Sequence, residues 1–404
     1  MAQSQPAKIL VVDDEAEYLQ TTIQYLRESG EEYDCLSAVN GAMAVQIAKA
    51  RTPDLIISDW DMPVMNGIES TIALKQDPET RDIPVIISSG AMTTPSHLRM
   101  ALEAGAVDFI RKPVDKLELI ARTRTILELA RSYQQIKRQK NILEKRNRDF
   151  MDSVIYARRI QEAILPDKES FGRRLGGAFI YIQPRDVVSG DFFWYFDKRK
   201  EVIAACADCT GHGVPGAFMS ILGSNLLGAI IRDFGILKPN LLLSELNERM
   251  MATLQKNVML EEYSIEPTLD GMDIAVVHID LSTCKVEFSG AHRPLIYFKS
   301  GQMHEIRGTN CSIGGVTAFK RLDFENHEIE LSPGDTLYMY SDGITDQFSS
   351  DSHKKFGSAR LKKMLVDIQP LSMEEQQKAV ARAMAEWRGT RDMQDDQTLI
   401  GLKL

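Results

Sequence analysis

KILVVDD at residues 8–14 and PDLIISDWDMPVMNG at 53–67 decide how the first third of the chain folds. In each, a short run of Ile, Leu and Val stops abruptly on aspartate. YDCLSAV (33–39), IPVIISSG (83–90) and DFIRKP (108–113) repeat the run-then-polar form. Near-continuous β-branched runs read as parallel strands covered on both faces, not as strands with one wet face. Between them lie helical patterns such as EAEYLQTTIQYLRES (15–29) and PSHLRMALEAG (95–105). Five β/α repeats predict a doubly wound, flavodoxin-like α/β domain over 8–125, after a tail at 1–7.

In such a sheet, ligands bind outside the carboxyl ends of the strands. The fold therefore gathers Asp13, Asp14, Asp59, Ser89 and Lys112 at one place. Three carboxylates there repel one another unless a cation joins them. Oxygen-only donors suit Mg²⁺, which also accepts phosphate oxygens. One carboxylate can then act as a nucleophile toward a phosphoryl group, with Lys112 and Ser89 as charge and hydroxyl donors.

The DD pair, DWDMPVMNG, SSG and the KP pair together resemble the response-regulator receiver domain. The resemblance implies Asp59 as phosphoacceptor and Asp13 and Asp14 as the acidic pair. It adds the backbone carbonyl of Asp61 to the metal and makes Phe109 the aromatic switch that moves with Ser89. It also implies a sensor histidine kinase or phosphotransfer protein as partner.

Composition excludes several classes. The 404 residues are 44% hydrophobic and 26% charged, which is not the profile of a disordered chain. Acids outnumber bases 57 to 48, against a general nucleic-acid binder. Cysteines at 35, 206, 209, 284 and 311 do not form a disulfide framework. No signal peptide and no run of about 18 apolar residues is apparent, so a soluble cytoplasmic protein with no membrane partner is expected.

Residues 126–166 predict a helical coiled-coil linker. The d positions Leu129, Ile136, Leu143, Phe150, Ala157 and Ile164 are all apolar, while the a positions mix Ile126, Tyr133 and Val154 with Lys140, Asn147 and Gln161. Such a frame favours a homodimer, its polar a residues setting register at some cost in stability. Pro166 ends it.

The remainder, 167–404, alternates short strands with helical stretches at 215–233, 239–255 and about 372–388, an α+β domain of packed antiparallel sheets. Acids again stand beside apolar runs: Asp191 in GDFFWYF, Asp208 in ADCTGHGVPG, Asp342 in SDGITDQ, and Asp395 and Asp396 in DDQT. With no Lys or Arg adjoining them in sequence, they predict a cluster holding two Mn²⁺ or Mg²⁺. Cys206 reads as a buried small side chain rather than half of a zinc motif.

These motifs, with GMDIAVVHID and SGAHRPLIY, resemble the PPM family of metal-dependent protein phosphatases in its bacterial sporulation and sigma-regulating branch. The resemblance implies Asp208 bridging two metals, Asp342 and Asp395 on one, and Asp191 with the Cys209 carbonyl on the other. Asp395 aligns better than Asp396. Asp346 is implied to hold water or a weaker ion, and His212 and His292 lie near the site, His212 as a candidate acid. The implied activity is hydrolysis of phosphoserine or phosphothreonine on a STAS-type anti-sigma-factor antagonist, controlled from Asp59. The alternative is a non-catalytic phosphatase-like binding module or dimeric scaffold. The sign of the control is not written in the residues.

Overall fold

The computed structural model describes residues 6–90, 95–255, 270–314 and 322–404; of the expected tail at 1–7, residues 1–5 lie outside the described residues. The chain forms two compact units, Met1–Asn147 and Arg148–Leu404.

In the first unit the elements run β1 (Ala7–Val12), α1 (Ala16–Arg27), β2 (Tyr33–Ala38), α2 (Gly41–Arg51), β3 (Leu55–Asp59), α3 (Gly67–Gln76), β4 (Val85–Ser89), α4 (Pro95–Glu103), β5 (Asp108–Arg111) and α5 (Lys116–Ile164). The strands form one parallel sheet in the order β2-β1-β3-β4-β5. Alternation along the runs builds two cores. Leu10, Val12, Ile56, Val85 and Ile87 meet Ala44, Ala48 and Leu74 on one face. Ile9, Val11, Leu55, Ile57 and Ile86 meet Leu26, Leu119 and Ile126 on the other. Each such side chain contributes roughly 1.5–3 kcal/mol by burial, so neither face can be left uncovered. Gly67 is required after the third strand: a Cβ there would overlap the Asp59 carbonyl.

Helix α5 continues unbroken for 49 residues and stops at Ile164, two residues before the proline. The expected separate linker is divided between the two units. Ile126 and Leu127 close a core of the first unit. Val154, Ala157 and Gln161, expected to face a partner helix, instead pack within the second unit, where Val154 and Ala157 meet Val187, Val188, Val214 and Ala217. The physical reason is that Val154 and Ala157 find a preformed apolar pocket on their own chain. The heptad stripe remains exposed at Leu129, Tyr133, Ile136, Leu143 and Phe150.

The second unit contains β6 (Gly177–Gln183), β7 (Phe192–Lys198), β8 (Glu201–Cys209), α6 (Gly213–Phe234), α7 (Pro239–Gln255), β9 (Gly271–Asp280), β10 (Lys285–Ala291), β11 (Leu295–Lys299), β12 (Gln302–Ile306), β13 (Ile313–Gly314), β14 (His327–Glu330), β15 (Thr336–Tyr340), α8 (Asp342–Asp346), α9 (Gly357–Ile368), α10 (Met373–Arg388) and β16 (Gln397–Lys403). Two antiparallel sheets form, β14-β10-β9-β8-β7 with β13 beside β9, and β12-β11-β15-β16-β6. Phe193, Cys206, Val277, Phe288, Leu337 and Ile400 fill the space between them. Leu227, Leu243 and Met250 from α6 and α7 cover the outside of the first sheet; Leu361, Leu365 and Val380 from α9 and α10 cover the second. By length and composition α6 is apolar enough to cross a membrane, but 56% of its most apolar window is buried in this core. Strand β12 exposes four of its five residues and β13 has only two, so neither carries a readable pattern.

Candidate functional sites

In the first unit the strand ends meet as expected. Asp13, Asp14 and Asp59 offer oxygens that all lie within 4.8 Å of one another. Lys112 Nζ stands 2.8 Å from Asp13 Oδ2 and 2.7 Å from Asp59 Oδ1. Its position is fixed by the 3.0 Å bond from its backbone N–H to the Ser89 carbonyl and by the Tyr18 ring, 4.4 Å from the ammonium. Burial raises the Asp59 carboxyl above its usual range, and the lysine only partly opposes this. Burial also pulls on Lys112, but its two carboxylate partners outweigh it and the net shift is upward. Three carboxylates against one ammonium, all oxygen donors, fit a hard divalent cation. Ser89 is buried, Phe109 is half-buried with the Arg122 guanidinium 5.8 Å from its ring, and Asp61 is exposed.

In the second unit Asp208, Asp342 and Asp395 line one cavity of about 330 Å³, with Thr210, His212, Asp273, Arg293 and Ser312. Asp208 comes from the end of β8, Asp342 from the start of α8, and Asp395 from the turn into β16. Gly343 allows that convergence, since a Cβ there would overlap the Asp396 carbonyl. Asp191 is buried and accepts 2.5 Å from Ser341 Oγ; burial and then the Asp208 charge hold its carboxyl well above the usual range. Burial and Asp342 push the Asp208 carboxyl up to about 8, against the pull of Arg293.

Two residues of this site were missed. Asp273 stands directly opposite Asp208 in the β8–β9 ladder. The lone aspartate inside GMDIAVV was its signal. Arg293 overturns the expectation that no base accompanies these acids: one nitrogen of its guanidinium lies 2.7 Å from Asp342, 2.9 Å from Asp273 and 3.5 Å from Asp208. Like charges facing across a ladder are destabilising, and the guanidinium relieves that. Ser312 Oγ donates to Asp273 at 2.6 Å.

Other expected residues separate. Asp396 does not line the cavity; its two oxygens accept from the backbone N–H groups of Arg185 and Gly190, both at 2.7 Å. Asp346 pairs with Lys355 at 2.8 Å, away from the cavity. His292, in the left-handed region at φ 55°, lines a neighbouring cavity with Arg307 and Tyr340. His212 lines the acidic cavity, its Nδ1 3.0 Å from Asp186 Oδ2. Cys206 and Cys209 are buried free thiols whose pKa burial drives well up. Neutral thiols leave the carboxylates as the donors lining this cavity, a set that suits a hard divalent cation and not a thiolate-bound metal.

Comparison with known proteins agrees with both halves. Residues 9–124 match the profile of the response regulator receiver domain, and residues 198–404, half of the chain, match that of stage II sporulation protein E (SpoIIE). The solved SiaA-PP2C domain of Pseudomonas aeruginosa is 32% identical; the match covers 64% of this chain and 98% of that one, with a TM-score of 0.56. The phosphate regulon transcriptional regulatory protein PhoB of Pseudomonas aeruginosa is 40% identical over 119 residues, 30% of this chain and 51% of the relative. Response regulator PleD of Caulobacter vibrioides is 37% identical over 122 residues, 30% of this chain and 26% of the relative. The chain thus spans about half or less of the length of these curated relatives. The fold and the two sites define a receiver joined to a PP2C-type phosphatase domain. The chain belongs to the stage II sporulation protein E (SpoIIE) family.

Proposed function

We propose that the chain is a bacterial, cytoplasmic response regulator in which phosphorylation of Asp59 controls metal-dependent hydrolysis of phosphoserine or phosphothreonine on a protein, a phosphorylated STAS-type antagonist. The observation that carries this is the convergence of Asp208, Asp342 and Asp395 on one cavity, with buried Asp191 near enough for the Asp208 charge to raise its carboxyl.

In the receiver, Asp13, Asp14 and the Asp61 carbonyl would hold Mg²⁺. An Asp59 oxygen forms a bond to phosphorus as the donor's phosphoryl bond to histidine breaks. Lys112 steadies the phosphoryl oxygens, and Ser89 donates to them while Phe109 turns inward. In the phosphatase, Asp208, Asp191, Asp342, Asp395 and the Cys209 carbonyl would hold two Mn²⁺ or Mg²⁺. Those ions, when bound, supply Lewis acidity toward the phosphate and an activated water. With both ring nitrogens protonated, His212 would donate from Nδ1 to Asp186 and from Nε2 to the departing serine oxygen.

Residues 8–125 and 167–404 are the proposed receiver and phosphatase domains, and the helix between them lends Ile126 and Leu127 to the first unit and Val154 and Ala157 to the second. The exposed stripe from Leu129 to Phe150 forms a two-stranded coiled coil with a second copy. The last turns of α5 grip the segment before Asp191, which makes the helix a lever. The test is hydrolysis of a phosphoserine protein by the full chain with Mn²⁺. Activity abolished by Asp208→Asn supports the enzyme, and no activity in the wild type overturns it. The Arg293 contacts favour the second reading, a binding module whose acids are partly neutralised by a base of the chain itself. Calorimetric titration with Mn²⁺ separates the two, since the module would bind it only at the receiver acids and give the same isotherm as Asp208→Asn.

A further inference from the structure

Beside the acidic cavity lies a second one, about 650 Å³, lined by the Pro184–Asp186 segment and by Arg388–Met393. Three arginines line it, Arg185, Arg388 and Arg391, the last with its guanidinium 5.6 Å over the Phe348 ring, in a protein whose net charge is −9. Among the described residues no carboxylate lies within ion-pair distance of any of the three. Arg185 spends one N–H on the Gln394 carbonyl at 3.0 Å, and Arg391 one on the Ser349 carbonyl at 3.1 Å. Each guanidinium has five N–H donors in a planar fork, so most remain for a ligand. Arg388 also ends α10, where a positive charge suits the helix terminus. That accounts for one of the three and not for their sharing one cavity. Two acids share the walls: Asp186, 3.0 Å from His212, and Asp392, which is exposed.

The two cavities share no lining residue but are lined by neighbouring segments. Met393 lines the basic one and Asp395, two residues on, the acidic one. The Asp186–His212 bond bridges them on the other side. The charge of Arg185 reaches Asp395, where it opposes the upward push of burial on that carboxyl. A peptide advances at most ~3.3–3.6 Å per residue, so side chains two to four positions from the phosphoserine reach up to ~7–14 Å along the surface on which the two cavities neighbour each other.

We infer that Arg185, Arg388 and Arg391 form a subsite for acidic side chains flanking the phosphorylated residue of the substrate. This rests on the phosphatase reading and adds to it the charge of the substrate segment. Bidentate guanidinium–oxyanion pairing provides the recognition.

The test uses the full chain with Mn²⁺ and three synthetic phosphoserine peptides alike except at positions two to four from the phosphoserine: Glu, Lys, or a further phosphoserine. The expected result is a kcat/KM about tenfold higher for the Glu than for the Lys peptide, with that ratio collapsing toward one in Arg388→Glu. A ratio taken within one protein cancels any loss of folded enzyme, and Arg388→Gln gives an intermediate value. A second phosphoserine outperforming Glu tells a phosphate-binding subsite from a carboxylate-binding one and supports the site either way. A wild-type ratio within twofold, or an unchanged ratio in Arg388→Glu, overturns the inference. Failure to hydrolyse p-nitrophenyl phosphate would instead overturn the phosphatase reading. Fluorescence anisotropy of the same peptides then reads the pocket alone, and equal binding of Glu and Lys peptides refutes it.

Discussion

Gln161→Leu isolates the grip of α5 on the phosphatase. The Gln161 amide nitrogen donates to the Ser189 carbonyl at 2.6 Å and to Ser220 Oγ at 2.8 Å, and its oxygen accepts from the Ser189 N–H at 3.3 Å. Ser189 in turn donates from Oγ to the Asp191 carbonyl at 3.0 Å, so the chain of bonds ends at a proposed metal ligand. Leucine keeps the volume and the helix propensity but removes all three bonds. Ser220 keeps its 2.8 Å bond to the Ala217 carbonyl, and the Ser189 carbonyl keeps only a 3.3 Å bond from Ser220. The buried Ser189 N–H is left without its partner. One orphaned buried donor and one weakened acceptor cost about 2–4 kcal/mol, partly offset by the added apolar burial. For a unit of this size that lowers Tm on the order of 10 °C. The assay pairs thermal unfolding with Mn²⁺-dependent hydrolysis, with and without acetyl phosphate. The expected outcome is the lower Tm together with a smaller rate difference between the two conditions. An unchanged Tm would refute the packing argument. A lower Tm with the wild-type response intact would refute the transmission role.

The adjacent acids Asp395 and Asp396 should behave oppositely. Asp396→Ala removes two charged-acceptor bonds to backbone and costs about 3 kcal/mol, read by urea unfolding, whereas Asp395→Ala abolishes phosphatase turnover with little loss of stability. In Asp59→Asn, acetyl phosphate should leave no mass increment of a phosphoryl group and no change in rate. Cys206 and Cys209 titrate far above ordinary thiols because burial disfavours the thiolate, so at pH 8 they stay protonated. Their modification by a disulfide reagent should begin only in denaturant, and reaction in the native protein would contradict the packing of β8.

The receiver site was legible because each of its residues follows a short apolar run, and parallel strands deliver their carboxyl ends to one edge. The phosphatase acids were legible singly, as carboxylates beside buried strands. Their partition was not. Asp395 and Asp396 are indistinguishable in DDQT; the turn into β16 sends one to the cavity and the other to the Arg185 and Gly190 N–H groups. Asp273 sat inside a run that reads as plain strand, and only the β8–β9 register sets it opposite Asp208. Arg293 follows a left-handed residue, His292, and a turn of that hand redirects the next side chain in a way no periodicity reports.

Residue order alone therefore determined the two folds, the helix that joins them in sequence, and which carboxylates stand at strand ends. These depend on local periodicity and on abrupt changes of polarity, both properties of neighbours along the chain. Tertiary structure decided how the heptad stripe is shared, with Val154 and Gln161 spent on their own unit and Leu129 to Phe150 left exposed. It also decided which base meets which acids and which cavity is lined by three arginines that have no carboxylate partner among the described residues. Those outcomes depend on register, turn handedness and competition for buried surface, which arise only when distant segments pack together.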